Sequence, residues 1–269
     1  MHKYWVVFKV ALSERLVYRT DFFIATFLRF VPIITTILLW RAIYDGSGSE
    51  DTKLAGLSYN DMVSYYLFVM VTRAFSSMPG LGTGIATAVR EGELRKFLLQ
   101  PIDYVTYMLS LRAAHKAVYY VMAFVPYFIV FWMCREFLPG WPQPPVLGLY
   151  LLSLVLAFLL GFTTSCLIGL LAFWFLEVST FIYLFMIASY FLSGHMFPLS
   201  LLPDGLGQVV TLLPFAYETY YPTMIILQKL SPDEMMRVVV MQLFWITVMF
   251  GLSRLAWSRG LRRYAAFGG

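Results

Sequence analysis

Charged residues are scarce in this sequence. Asp, Glu, Lys and Arg make up 13% of its 269 residues, whereas soluble domains carry about 25%. Hydrophobic residues make up 60%, and the mean hydropathy is +0.72. One soluble core of this length would not bury so much apolar surface, so lipid has to be the solvent for much of it. The composition predicts an all-α integral membrane protein whose spans each need roughly 20 apolar residues to cross about 30 Å.

Cysteine and histidine are also rare. Cys134 and Cys166 are too few for a disulfide framework and lack metal-ligand spacing, and the three histidines (His2, His115 and His195) are too scattered for a metal cluster. Neither a G-x-x-x-x-G-K-[ST] phosphate loop nor an H-E-x-x-H motif occurs. We therefore expect no metal site, no cofactor and no ATP-binding loop in this chain. The net charge of +5 indicates basic loops at the cytoplasmic face rather than a nucleic-acid partner.

The apolar runs predict six transmembrane helices within one domain over residues 1–269. Residues 1–20 mix apolar and charged side chains, which is typical of a helix lying in the membrane interface. Two Pro-bounded, half-apolar stretches within 198–222 indicate short re-entrant helices in the outer leaflet before the last span. A tight turn is placed at Glu177, the only charged residue between 146 and 197. The predicted spans cover about residues 22–44, 60–79, 117–133, 146–172, 178–197 and 238–257.

The distribution of Lys and Arg sets the orientation. With the N-terminus inside, residues 1–30, the 88–118 loop, the Glu177 turn and the C-terminal tail face the cytoplasm and hold fourteen basic residues. The other side holds five. Because cytoplasmic loops carry the excess of basic residues, both chain ends are expected in the cytoplasm.

Residues 90–101 form the most informative cytoplasmic loop. Its apolar residues Leu94, Phe97 and Leu98 are spaced i, i+3 and i+4, which predicts one stripe on a short helix. Such a helix is suited to a groove on a soluble partner, although it also fits a solvated loop lying on the headgroups. The pattern leaves both interpretations open. The flanking charged residues are Arg90, Glu91, Glu93, Arg95 and Lys96, and Pro101 ends the helix.

Arg73 stands near the middle of the second predicted span. An arginine inside a bilayer is costly enough to require a partner or an aqueous path. It therefore lines a substrate route or belongs to a structural ion pair, and Glu218 is a candidate for the same two roles. The glycine-rich run from Gly80 to Gly84 is either a hinge or a close-packing surface.

Several short motifs together resemble those of a known family of membrane proteins, in their order along the chain and in the side of the membrane on which they are predicted to lie. The chain resembles the type-two ABC (ABC-2) exporter permeases, and more narrowly their six-helix bacterial subgroup. The likeness covers nearly the whole chain. The motifs are Arg19-Thr-Asp-Phe-Phe23, Arg90-Glu-Gly-Glu-Leu94, Leu98-Leu-Gln-Pro101, Gly194-His-Met-Phe-Pro198 with Leu202-Pro203, and Arg259-Gly-Leu-Arg-Arg-Tyr264.

The resemblance implies a permease subunit of an ATP-driven exporter in the bacterial inner membrane. Residues 90–101 would be a coupling helix that contacts an ATPase from a separate gene. Two such ATPases would bind ATP and Mg, and the chain would pair with a second permease, identical or homologous. The 198–222 segment would help to close the exit. The coupling residues would be Arg90, Glu91, Glu93, Leu94, Phe97 and Leu98.

Two other classes of membrane protein compete with this interpretation. An ion-coupled secondary transporter usually has inverted repeats and ionisable groups near the midplane, and here only Arg73 qualifies. A membrane-embedded enzyme acting on lipid-linked substrates would need Asp, Glu or His clustered at one interface. The acidic residues are instead scattered among loops.

Overall fold

The computed structural model describes residues 2–15, 28, 30–46, 53, 54, 56–175 and 177–267. Within these ranges the structure is helical, and its only β-pairing is an isolated bridge between Leu54 and Leu57. This confirms the all-α prediction. The helices are α1 His2–Arg15, α2 Val31–Gly46, α3 Tyr59–Ser76, α4 Leu81–Arg90, α5 Leu94–Leu98, α6 Tyr104–Met133, α7 Pro144–Leu170, α8 Ser179–Leu192, α9 Asp204–Leu212, α10 Tyr220–Ile226 and α11 Pro232–Phe267.

The chain divides into two compact units. The first holds residues 1–67 and 102–140, and the second holds residues 68–101 and 141–269, so the boundary falls within α3. The prediction of a single domain over 1–269 stays a prediction.

In the first unit, α1 lies against the start of α6. The backbone N–H of Asp103 donates to the hydroxyl of Tyr4 at 3.0 Å, and the Asp103 carboxylate accepts from the backbone N–H of Thr106 at 2.9 Å. This side-chain cap lets α6 begin at Tyr104. The span predicted over 117–133 is therefore the second half of a helix of 30 residues.

Aromatic residues join α2 to α3 in the same unit. The hydroxyl of Tyr44 donates to the carbonyl of Leu57 at 2.8 Å. The ring of Tyr59 lies 5.8 Å from Tyr44 and, in a T-shaped contact, 5.8 Å from Phe137. Tyr44 and Leu57 are both buried at this junction.

In the second unit, α4, α10 and α11 pack around α7. Small residues allow the close approach: a Cβ built on Gly169 of α7 would lie 2.8 Å from the carbonyl oxygen of Gly82 in α4. Gly80 has φ +69°, in the left-handed region that favours glycine, and caps α4. A Cβ at Gly84 would meet no atom within 4 Å. The glycine-rich run is thus a close-packing surface at Gly82 and a turn at Gly80.

Among the residues that the structure describes, three helices are long and apolar enough to cross a membrane. They cover Tyr104–Met133, Pro144–Phe173 and Pro232–Tyr264, and Ser179–Leu192 is a shorter apolar helix. Helices α2 and α3 lie where the first two spans were predicted, but six spans and their orientation stay predictions. Residues 16–27 lie outside the described residues. They include the end of the predicted interfacial helix, the motif at 19–23 and the start of the first predicted span.

Short helices fill the stretch between α8 and α11. They comprise 3-10 turns at Leu199–Leu201 and Pro214–Tyr217 as well as α9 and α10. The indole N–H of Trp245 in α11 donates to the carbonyl of Leu212 at 3.2 Å, which ties α9 to the last helix. A re-entrant position of these helices in the outer leaflet stays a prediction.

Candidate functional site

Arg73 and Glu218 meet in the interior of the second unit. Nη1 of Arg73 lies 3.7 Å from Oε2 of Glu218, and the Glu218 side chain is only 3% exposed. The same Nη1 donates to Oγ of Ser189 in α8 at 3.2 Å, and Oε1 of Glu218 accepts from Oγ1 of Thr164 in α7 at 2.9 Å. The pair therefore joins α3, α7 and α8 to the segment before α10. A buried charge pair of this kind is stable only when further hydrogen bonds satisfy both partners, as they do here.

Hydroxyl groups extend the polar cluster from the ion pair along α3 and α7. The hydroxyls of Thr72 and Tyr150 lie 3.3 Å apart, and Oγ1 of Thr223 in α10 donates to Oγ1 of Thr72 at 3.3 Å. All three residues are buried. The residue before Arg73 thus belongs to a row of hydroxyls that can change hydrogen-bond partners without a change of charge.

Gln242 fixes the position of α11 against α7. Its Oε1 accepts from the hydroxyl of Ser153 at 3.0 Å, and its Nε2 donates to the carbonyls of Ser153 and Tyr217 at 3.1 and 2.9 Å. Gln242 is fully buried. Because three of its hydrogen bonds are made inside the protein, this amide locks α7, α11 and the turn before Glu218 in register.

Three polar atoms near the Arg73–Glu218 pair are buried and have no hydrogen-bond partner among the described residues. They are Oγ of Ser193, Nδ1 of His195 and Oγ1 of Thr219. Buried polar atoms are normally satisfied, so a group of them marks a functional candidate. A polar group that entered this region would find donors and acceptors. No cluster of three or more His, Cys, Asp or Glu side chains that could hold a metal occurs in the part of the chain that the structure describes.

The structure separates the three apolar residues of the 90–101 segment. Leu94 is fully buried against its own chain, Phe97 is half-buried, and Leu98 is 48% exposed. Leu99, which the helical spacing did not include, is 88% exposed. Of the charged residues in this segment, Arg90, Glu91, Glu93, Arg95 and Lys96 are all exposed.

The 90–101 segment lies beside two other parts of the second unit. Nη2 of Arg90 lies 3.4 Å from Oε1 of Glu177 in the turn before α8. A Cβ on Gly92 would lie 3.5 Å from the hydroxyl of Tyr264 near the end of α11. The predicted coupling segment, the Glu177 turn and the C-terminal tail therefore meet in one place.

Sequence reasoning named both members of the ion pair but not the residues that position them. Thr164, Ser189 and Gln242 lie in apolar helices, where single polar residues give little signal. Gln242 is the most polar residue in the middle of α11, and that could have singled it out. Leu99 was not part of the predicted stripe, because the stripe holds only residues spaced i, i+3 and i+4 from Leu94.

One comparison with known proteins gives a match. A family model described as ABC-2 family transporter protein matches residues 30–268. No curated protein and no solved structure matches the chain. The match covers most of the sequence and confirms the resemblance stated above. With its apolar helices, this chain is a membrane protein and belongs to the ABC-2 family of transporter proteins.

Proposed function

We propose that the chain is the membrane-spanning permease subunit of an ATP-driven ABC exporter in the bacterial inner membrane. It forms the translocation pathway with a second permease, identical or homologous. Two separate ATPase subunits bind ATP and Mg and drive the transport cycle. The match to the ABC-2 family over residues 30–268 carries the proposal.

The proposed topology has six spans with both chain ends in the cytoplasm. The charge distribution assigns the 90–101 segment, the Glu177 turn and the C-terminal tail to the cytoplasmic side. The contacts of Arg90 with Glu177, and of Gly92 with Tyr264, support this assignment because segments in contact share one side of the membrane.

In this proposal, residues 90–101 couple the ATPase to the membrane helices. Leu98 and Leu99 form the exposed apolar tip that enters a groove on the ATPase. Leu94 anchors the segment in its own chain, and α4 passes the movement to α7 through the close contact of Gly82 with Gly169. A push on the tip is therefore transmitted by packed helices rather than by a flexible loop.

The Arg73–Glu218 cluster is the proposed polar part of the pathway or its structural support. The short helices of 198–222 close the exit on the outer side. Leu206, Val209 and Leu212 give α9 an apolar exposed face, which supports a position in contact with lipid.

The double variant Leu98→Asp/Leu99→Asp is expected to lose the ATPase and to keep its fold. Two charges replace exposed apolar contacts that contribute roughly 1.5–3 kcal/mol each when buried, so association should weaken at least about 100-fold. The measurement is the amount of ATPase recovered with the tagged chain after mild detergent extraction from its native membrane. Retention of ATPase at the level of the unmodified chain would contradict the coupling role.

Two further variants serve as controls for this experiment. Trp141→Asp changes another apolar residue that is 97% exposed, outside the coupling segment, and should leave ATPase recovery unchanged. Leu94→Asp places a charge at a fully buried position and should prevent folding. Of the three variants, only Leu98→Asp/Leu99→Asp is expected to fold and yet fail to bind the ATPase.

An ion-coupled secondary transporter remains the alternative, because a buried Arg–Glu pair also suits a proton or sodium pathway. The two functions differ in their energy source. Transport that persists without any ATPase and stops when the proton or sodium gradient is dissipated would favour the alternative.

A further inference from the structure

A cavity of about 410 Å³ lies where α4, α5, the 3-10 turn Leu171–Phe173 and the end of α11 meet. This volume is within the range of roughly 300–1,000 Å³ that is typical of small-molecule sites. The side chains that characterise it are Arg90, Arg95, Phe173, Trp174, Arg263 and Tyr264. All belong to the second unit.

The charged side chains lining this cavity are all cationic. Arg90, Arg95 and Arg263 line it, and none of the described residues that line it is acidic. Two carboxylates of these segments are held on cations: Glu177 lies 3.4 Å from Arg90, which lines the cavity, and Glu93 lies 3.1 Å from Lys96, which does not. Guanidinium groups bind phosphate through parallel hydrogen bonds, so three of them around one cavity suit an anionic group such as phosphate.

Aromatic side chains form the remaining wall. The ring of Phe173 contacts Tyr264 edge-on at 6.0 Å, and a Cβ on Gly260 would overlap that ring, so Phe173 is held firmly. Phe175, which also lines the cavity, is 46% exposed and lies 5.0 Å from Phe181 of α8. The cavity thus joins a lining of exposed cations to an exposed apolar edge, an arrangement that suits an amphiphile with an anionic head.

We propose that this cavity binds the phosphate headgroup of an anionic phospholipid. Basic pockets between membrane helices on the cytoplasmic side are suited to such headgroups, and the basic tail places this cavity at that surface. The lipid would bridge Arg90 and Arg95 in the coupling segment to Arg263 at the end of the last helix. It would therefore hold the coupling segment against the membrane. Binding needs no ATPase, so it is independent of the proposed exporter function.

The test measures the affinity of phosphatidylglycerol for the purified full-length chain in a neutral detergent, with phosphatidylcholine as the reference lipid. Arg95→Gln/Arg263→Gln removes two cations from the cavity. Arg259→Gln/Arg262→Gln removes two exposed cations of the same tail that do not line it. The cavity variant is expected to lose at least about ten-fold more affinity for phosphatidylglycerol than the tail variant. Equal losses would mean general charge attraction and would overturn the proposal.

Two further outcomes would also overturn it. Displacement of phosphatidylglycerol by inorganic phosphate at a comparable concentration would show that the cavity takes a soluble phosphorylated compound. Unchanged lipid binding together with loss of the ATPase would assign the arginines to the docking surface of that subunit. If Arg95→Gln/Arg263→Gln does not fold, Arg95→Lys/Arg263→Lys replaces it. This variant keeps the two positive charges but loses the planar guanidinium groups that form paired hydrogen bonds. It should still bind more weakly than the tail variant.

Discussion

Gly161→Ala is expected to destabilise the protein strongly. A Cβ built at Gly161 of α7 would overlap the carbonyl oxygen of Ser76 at the end of α3. The obstructing atom belongs to the backbone, so it does not move aside as a flexible side chain would. Overpacking typically costs 1–3 kcal/mol and occasionally more, so the thermal midpoint should fall by roughly 5–10 °C. The measurement is thermal unfolding of the purified chain in detergent, with the yield of monodisperse protein as a second readout.

Gly148→Ala in the same helix is the matched control. No atom lies within 4 Å of a Cβ at this position. Alanine is a better helix former than glycine by about 0.5–1 kcal/mol, so this change should raise the midpoint slightly. The two substitutions are chemically identical and are expected to act with opposite signs. If both variants were equally stable, α3 and α7 would not approach each other at Ser76.

Removal of one member of the Arg73–Glu218 pair is expected to cost about 3 kcal/mol. Glu218→Gln keeps an oxygen to accept from Thr164 but leaves Arg73 in the interior without its counter-charge. Arg73→Met leaves the buried carboxylate without its cation. The double variant removes both charges and should recover most of the stability, because no buried charge is then left without its partner. A double-mutant cycle of thermal unfolding measures this coupling.

The same variants separate the two roles that the sequence left open. If the double variant recovers stability and the transport of the native substrate, the pair is structural. If stability returns and transport does not, the charges act in the pathway. A coupling energy near zero would contradict the contact itself. The single variant Arg73→Met does not distinguish the structural role from the pathway role, since both predict a loss of transport.

The helical architecture was predictable because long apolar runs allow few alternatives in a bilayer. Helix α7 begins and ends two residues before its predicted span, and α8 begins one residue after and ends five residues before its own. Helix α11 begins six residues before its predicted span and ends ten residues after it. The start of α6 was not predicted. Asp103 caps the helix fourteen residues before the predicted span begins at Ala117, and residues such as Arg112 and Lys116 obscured the continuous helix. Capping is a local hydrogen bond, and hydropathy does not detect it.

The two charged residues of the candidate site could be predicted from the sequence, but the contacts between them could not. An arginine in an apolar run stands out in the sequence, and so does a glutamate among prolines and tyrosines. Their pairing depends on how α3 approaches the segment before α10, 145 residues later in the chain. The burial of Leu94 was not predictable, because helical spacing gives the face on which a residue lies but not whether that face is turned toward its own protein. The cavity between Arg95 and Arg263 joins segments that no short motif connects.

The sidedness of the 90–101 segment tests the proposed function most directly, since an ATPase reaches only the cytoplasmic face. The background is a chain whose Cys134 and Cys166 are replaced by Ala, so that Lys96→Cys and Trp141→Cys each introduce a single thiol. The side chain of Lys96 is 72% exposed, and Trp141 is 97% exposed. Each is labelled with a membrane-impermeant maleimide in spheroplasts and in inside-out vesicles. We expect Lys96→Cys to react only in inside-out vesicles and Trp141→Cys only in spheroplasts. Labelling of Lys96→Cys in spheroplasts would contradict the proposal, because no ATPase could then contact this segment.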